Sequence, residues 1–204
     1  MTPFHTAATG LYVNSHPLPR PPLTYPQCSQ LSTSFGSVLH YPENDRNFTI
    51  WDAKQQEVRP ACRVEPSNAA EVAQVLEILV ANWCRFAVKG GGHSRHPDDS
   101  NSVGGVTIDL DRMNAVEVAA DRASARVGGG ATLLQVYRAL ERYDLSFVGG
   151  LVATVGVGGF TLGGGRSAMS NRYGWALDNV YEYEVRFYTS FISFYQIRII
   201  ERFK

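Results

Sequence analysis

The residues whose types and spacing best suit chemistry lie in positions 86–96, FAVKGGGHSRH. An apolar run of Phe86, Ala87 and Val88 stops at Lys89 and enters Gly90, Gly91 and Gly92, followed at once by His93 and Ser94. Three adjacent residues without Cβ atoms lose much entropy on ordering. At a strand end they point to a sharp loop whose backbone amides come close to a phosphate or a flat cofactor. His93 is one of five histidines. Alone on a loop, a histidine reads as a surface or hydrogen-bonded residue. Directly after a triple glycine, it reads as a ring aimed at a ligand.

A second stretch, 147–165, reads FVGGLVATVGVGGFTLGGG and holds eight glycines in nineteen residues. It lacks the Gly-X-Y period of collagen, and the interspersed Leu151, Val152, Val155, Val157, Phe160 and Leu162 make it too apolar for a flexible linker. One explanation is a loop of close-packed backbone without a ligand. The other is a second glycine loop facing the first across a cofactor, because buried amides need acceptors and a pyrophosphate or flavin ring supplies several. Gly156, Gly158, Gly159 and Gly163 approach the spacing of a dinucleotide fingerprint, but no following helix is expected, which disfavours a nicotinamide-dinucleotide protein. Lys89 precedes its glycines, so the Walker pattern is absent. No Ser/His/Asp or Cys/His arrangement and no paired carboxylates stand out. The cysteines Cys28, Cys62 and Cys84 include no CxxC pair at zinc-site spacing, so no metal site is expected. Any two of them can pair, or all three can stay reduced.

Positioning those loops requires a framework, which the flanking sequence supplies. Residues 60–66, PACRVEP, form a short strand bracketed by prolines. A helix over 68–81 is capped by Asn68 with Glu71 three residues on, and Val72, Val75, Leu76 and Leu79 make its inner stripe. The next strand covers 84–88, giving a strand-helix-strand unit with parallel neighbours. Another strand is expected at 106–110, an antiparallel pair at 115–119 and 124–127, and after Gly128, Gly129 and Gly130 a second helix capped by Thr132 and Gln135. A last strand is expected over 181–187. Residues 31–52 have scattered aromatics and read as short helix or irregular structure. Positions 1–57 form a partly irregular lead-in, Pro-rich from Pro17 to Pro26, and 186–204 an atypical tail.

With 204 residues, 44% apolar, the chain can build one domain or two small ones. Nineteen basic and nineteen acidic residues leave no formal net charge, which gives no support to a nucleic-acid or anionic-membrane partner. The N-terminus lacks the basic start and continuous apolar core of a secretory signal. No apolar segment reaches the roughly 20 residues that span a bilayer.

The segments PACRVEP, RFAVKGGGHS, GGVTIDLDRMNAV, ARVGGGATLLQVYRAL, VGVGGFTLGGG and YGWALDNVYEYEV together resemble the flavin-binding half of the vanillyl-alcohol-oxidase and berberine-bridge-enzyme class. They resemble most the fungal FAD-linked oxidoreductases with a PCMH-type domain. The resemblance covers about 60–185 and implies an α+β fold of two small subdomains with FAD extended between them, a domain taken as 58–185. By that likeness the loop from Lys89 through Gly90, Gly91, Gly92 and His93 to Ser94 wraps the pyrophosphate. His93 matches the histidine commonly bonded to the flavin 8α-methyl, and Ser94 contributes a phosphate contact. Gly150, Thr154, Val155, Gly156, Gly158 and Gly159 line the cofactor from the other side. Gly163, Gly164, Tyr173 and Gly174 are further contacts.

Members with two covalent bonds carry a cysteine where this chain has Val152, so attachment is expected through His93 alone. The class oxidises an alcohol, sugar or similar C–H donor by hydride transfer to flavin, with dioxygen as acceptor, and many of its members are secreted. Residues 186–204 match none of the class's continuation. The domain is therefore expected to be incomplete at its C-terminus, with no catalytic acid or base carried over. A non-catalytic flavin-binding fragment stands beside the enzyme as the alternative.

Overall fold

The structure, a computed structural model, describes residues 26–185 and the backbone of 198–199. The first helix, α1 (Pro26–Phe35), starts on a proline, whose fixed φ and missing N–H suit a first helical position. Cys28, Leu31 and Phe35 recur on one face and are buried. There follow β1 (Leu39–His40), a one-turn helix α2 (Ala53–Gln56), β2 (Cys62–Val64), α3 (Ala69–Ala81), β3 (Phe86–Lys89) and β4 (Val106–Asp109). The second half holds β5 (Val116–Val118), β6 (Ala125–Val127), α4 (Leu133–Glu141), α5 (Val157–Leu162), α6 (Ser170–Tyr173) and β7 (Arg198–Ile199).

Two sheets carry two cores, and the α+β expectation of two small subdomains holds. The first sheet has the order β1-β2-β4-β3, and the second β5-β6-β7. The first core joins α1, α3 and the first sheet through Leu31, Val64, Val75, Leu79, Val106 and Ile108. The second joins β5, β6 and α4 through Val127, Leu133, Val136, Leu140 and Phe147. The helix caps follow the sequence closely. Asn68 accepts from the Glu71 amide, and Thr132 and Gln135 form a reciprocal capping box. The Glu71 carboxylate reaches back to the Ser67 amide, one residue earlier than a standard box.

Four expectations change. β2 and β3 are not direct neighbours, because β4 inserts between them and pairs parallel with both. Residues 31–52, part of the lead-in, supply the end of α1 and the edge strand β1, which pairs antiparallel with β2. The glycine-rich stretch does contain a helix, α5. Its low intrinsic propensity is offset by burial of Val157 and Thr161. Finally, residues 181–185 form no strand, and the rest of the strand expected over 181–187 lies outside the described residues. No helix among the described residues is long and apolar enough to cross a membrane.

Of the cysteine pairings left open by sequence, the fold selects Cys28–Cys62, which ties α1 to β2, and leaves Cys84 as a free thiol. The two residues are 34 apart. Reduction is therefore expected to lower stability by about 3–4 kcal/mol through the freed loop, read as a fall in the urea midpoint with reductant. Cys28→Ser should show the same fall without it. An unchanged midpoint in both would refute a stabilising role for the bond.

Candidate functional site

The loop that follows β3 rises from a buried charge cluster. β3 alternates exposed and buried residues, so Ala87 and Lys89 face inward. The Lys89 ammonium donates to Asp109 Oδ1 at 2.9 Å, and the Leu110 amide donates to the Lys89 carbonyl at 2.9 Å. Arg63, 2% exposed, donates through Nε and Nη2 to the two oxygens of Asp45, each at 2.7 Å. Its Nη1 reaches Asp109 Oδ2 at 3.0 Å and also Glu65. Burial opposes the Arg63 charge, yet the bonds to Asp45 and Glu65 and the charge of Asp109 hold its proton more firmly than usual. Burial pushes the Asp109 carboxyl up against the pull of Lys89 and Arg63. Burial would do the same to Glu65, but Arg63 and His40 outweigh it and set that carboxyl below its ordinary value. The side chain of Lys89 is thus committed to the stem, and what the stem presents is the loop above it.

Three glycine runs meet there. A Cβ on Gly91 would lie 2.2 Å from the Gly156 nitrogen, and one on Gly156 would lie 2.3 Å from the Gly91 nitrogen. The Gly129 carbonyl would stand 3.2 Å from a Cβ on either Gly90 or Gly158. Gly92 has φ +69 and covers Ile50, so both its backbone and its surroundings require glycine. The amides of Gly91, Gly92, His93 and Ser94 take no backbone acceptor among the described residues. Buried or half-buried amides of this kind call for an external acceptor. Successive N–H groups in such a turn form a concavity suited to phosphate oxygens.

His93 closes the loop. Its ring stacks on Trp51 with centroids 4.1 Å apart and planes 11° from parallel, and Nε2 is 2.9 Å from the Thr154 hydroxyl. Burial lowers its proton affinity below that of a free imidazole, with the Thr154 backbone and the Asp52 charge opposing. The Ser94 hydroxyl donates to Asp99. Beside the meeting point a cleft of about 570 Å³ runs between the two cores, lined by Val72, Leu76, Val88, Leu110, Met113 and Gly129 among others.

The structure therefore brings together Gly90, Gly91, Gly92, His93, Thr154, Gly156 and Gly158 from the residues singled out by sequence. Val155 sits beside them, its carbonyl accepting from the Leu133 amide at 2.9 Å. Among the described residues nothing lies within 4 Å of a Cβ on Gly159. Gly150 packs against Phe160 and Leu133, and its carbonyl accepts from the Tyr137 hydroxyl. Gly163 caps α5, Gly164 (φ +98) packs against Trp175, and Gly174 (φ +78) ends α6 after Tyr173. These four shape turns and packing in the second half. Sequence reasoning missed Trp51, Asp52 and Gly129. The Gly128–Gly130 run signalled only a strand end, although it repeats the pattern of three glycines after a strand. Among the described residues no group of three or more His, Cys, Asp or Glu could hold a metal.

Comparison with known proteins agrees with this geometry. The FAD binding domain family matches residues 60–189. The FAD-dependent monooxygenase tpcD of Cochliobolus heterostrophus is 42% identical over 150 residues, covering 72% of this chain and 29% of the relative. The FAD-dependent monooxygenase FUP4 of Fusarium proliferatum is 44% identical over 135 residues, covering 66% and 26%. Among solved structures, 6-hydroxy-D-nicotine oxidase from Arthrobacter nicotinovorans superposes with a TM-score of 0.65 at 28% identity, covering 71% of this chain and 32% of the oxidase. The chain thus spans under a third of each of these proteins.

Proposed function

The chain belongs to the PCMH-type FAD binding domain family, and from that membership we propose that it is the flavin-holding part of an FAD-dependent oxidoreductase, with His93 as a covalent attachment point. The observation that carries this reading is the back-to-back contact of Gly91 and Gly156, with the His93 imidazole at its edge. The amides of Gly91, Gly92 and His93 bind pyrophosphate oxygens, and Gly129 and Gly158 let backbone approach the same group from the other side. The apolar cleft beside Gly129 takes a further part of the dinucleotide. When bound, FAD supplies the redox chemistry, accepting a hydride from an alcohol, sugar or similar C–H donor. The names of the relatives, monooxygenases and an oxidase, support dioxygen as the final acceptor. The protein's own part is to bind, orient and shield. Val152, half-exposed, offers no thiol for a second bond.

Protein incubated with FAD and then acid-precipitated is expected to yield a yellow pellet. His93→Ala should leave the pellet colourless and no flavin absorbance with the protein after denaturing gel filtration, while the folded variant still takes up FAD reversibly, measured by isothermal titration. Flavin that stays attached after that change would overturn His93 as the attachment point. Failure of native wild-type protein to bind FAD at all would overturn the whole reading.

A further inference from the structure

We propose that Trp51 and Thr154 are positioning residues that together fix the one orientation of the His93 imidazole able to meet a ligand. This rests on the proposed flavin attachment. His93 lies past the end of β3, where the amides of residues 91–94 take no backbone acceptor among the described residues. Nothing in the secondary structure therefore sets its side-chain torsions, and neighbouring side chains must. Stacking on Trp51 at 4.1 Å and 11° sets the plane of the ring. A stack cannot distinguish the two flips about the outer torsion, since each lays one of two equivalent ring faces on the indole. The Thr154 hydroxyl can, because a flip would put a carbon where Nε2 now stands 2.9 Å from Oγ1. One residue fixes the plane, and the other chooses the edge.

Both partners are themselves held. Trp51 lies between Ile50, which packs under Gly92, and Asp52, whose amide donates to the Gly92 carbonyl at 3.3 Å. Asp52 is 6% exposed and its carboxylate accepts from the Lys54 amide at 2.8 Å, capping α2. Thr154 precedes Val155 and Gly156, which pack on α4 and on Gly91. The indole is 56% exposed, far more than a core role would leave it. Forming the attachment replaces one imidazole N–H and one methyl C–H by an N–C bond, and the two protons and two electrons end on dioxygen as hydrogen peroxide. Such a bond demands close alignment of the nitrogen, and a displacement of about 1 Å can cost on the order of a hundredfold in rate.

The test uses the full chain as wild type, Trp51→Ala, Trp51→Phe, Thr154→Val and Thr154→Ser. The first readout is the rate of acid-stable flavin incorporation at saturating FAD, so that changes in affinity do not enter. Trp51→Ala and Thr154→Val should each slow it by about tenfold or more, while Trp51→Phe and Thr154→Ser stay within a few-fold of wild type. Equal rates in Thr154→Val and wild type, or equal losses in Thr154→Ser and Thr154→Val, would overturn the proposal. The second readout is NMR of the His93 ring in FAD-free protein. Trp51→Ala should remove an upfield ring-current shift and Thr154→Val should change the ring's tautomer balance. If wild type incorporates no flavin, the attachment fails, and the NMR arm alone decides the clamp: unchanged ring signals in both variants overturn it, and the expected changes support it.

Discussion

Arg63→Met is expected to cost about 3–5 kcal/mol of folding free energy, the range for removing one partner from a buried ion cluster. The guanidinium bridges Asp45, Glu65 and Asp109, whose side chains are 7%, 23% and 3% exposed, and it lies over the Phe48 ring. Without it, Asp45 loses its ion-pair partner, Asp109 keeps only the ammonium of Lys89, and Glu65 keeps only His40. Methionine replaces much of the volume, so the loss is one of charge more than of packing. Linkage gives the sign. Crowded carboxylates acquire raised folded-state pKa values, so the folded variant binds more protons than the unfolded chain, and its stability rises as pH falls. The gap between wild type and variant in urea midpoint should narrow from pH 7 towards pH 5. A gap that stays constant with pH would show that packing, not charge, was lost. Arg63→Lys keeps the charge but not the fork, and should fall between the two.

That cluster marks where sequence reading stopped. Strands β2, β3 and β4, helices α3 and α4 and their caps were legible because each signal is local: alternation, the i to i+4 stripe, or a side chain three residues from its cap. The role of Lys89 was not legible. At the edge of a glycine loop it resembles a phosphate contact, and only the parallel pairing of β3 with β4 places it across from Asp109. His93 stood out by its place after three glycines, Gly156 by the second glycine stretch and Thr154 by family likeness, but their contacts with one another were not legible. Trp51 is one of several scattered aromatics until the fold lays it on His93. The helix α5 was hidden by composition, since a segment with two adjacent glycines carries little helical propensity, and tertiary burial decides its state.

Gly91→Ala should strongly weaken cofactor binding by forcing apart the two glycine loops that meet at Gly156. The Gly91 φ is outside the left-handed region, so alanine is conformationally acceptable and only space forbids it. The added carbon would meet the Gly156 nitrogen at 2.2 Å, Gly156 Cα at 2.9 Å and the Thr154 carbonyl at 2.9 Å, all of them backbone atoms. Backbone cannot rotate aside as a side chain does, so the two loops must separate. Overpacking of this kind costs about 1–3 kcal/mol. Because the separated loops are the proposed cradle, roughly a tenfold or greater loss of FAD affinity should accompany it. Gly36→Ala is the matched control: it follows α1 away from the glycine loops, its φ is outside the left-handed region, and its Cβ meets nothing within 4 Å among the described residues. Isothermal titration of FAD into both variants should therefore separate them, with Gly36→Ala close to wild type and at least as stable. Equal affinity in Gly91→Ala and wild type would mean that the contact between the two loops does not form the cofactor site.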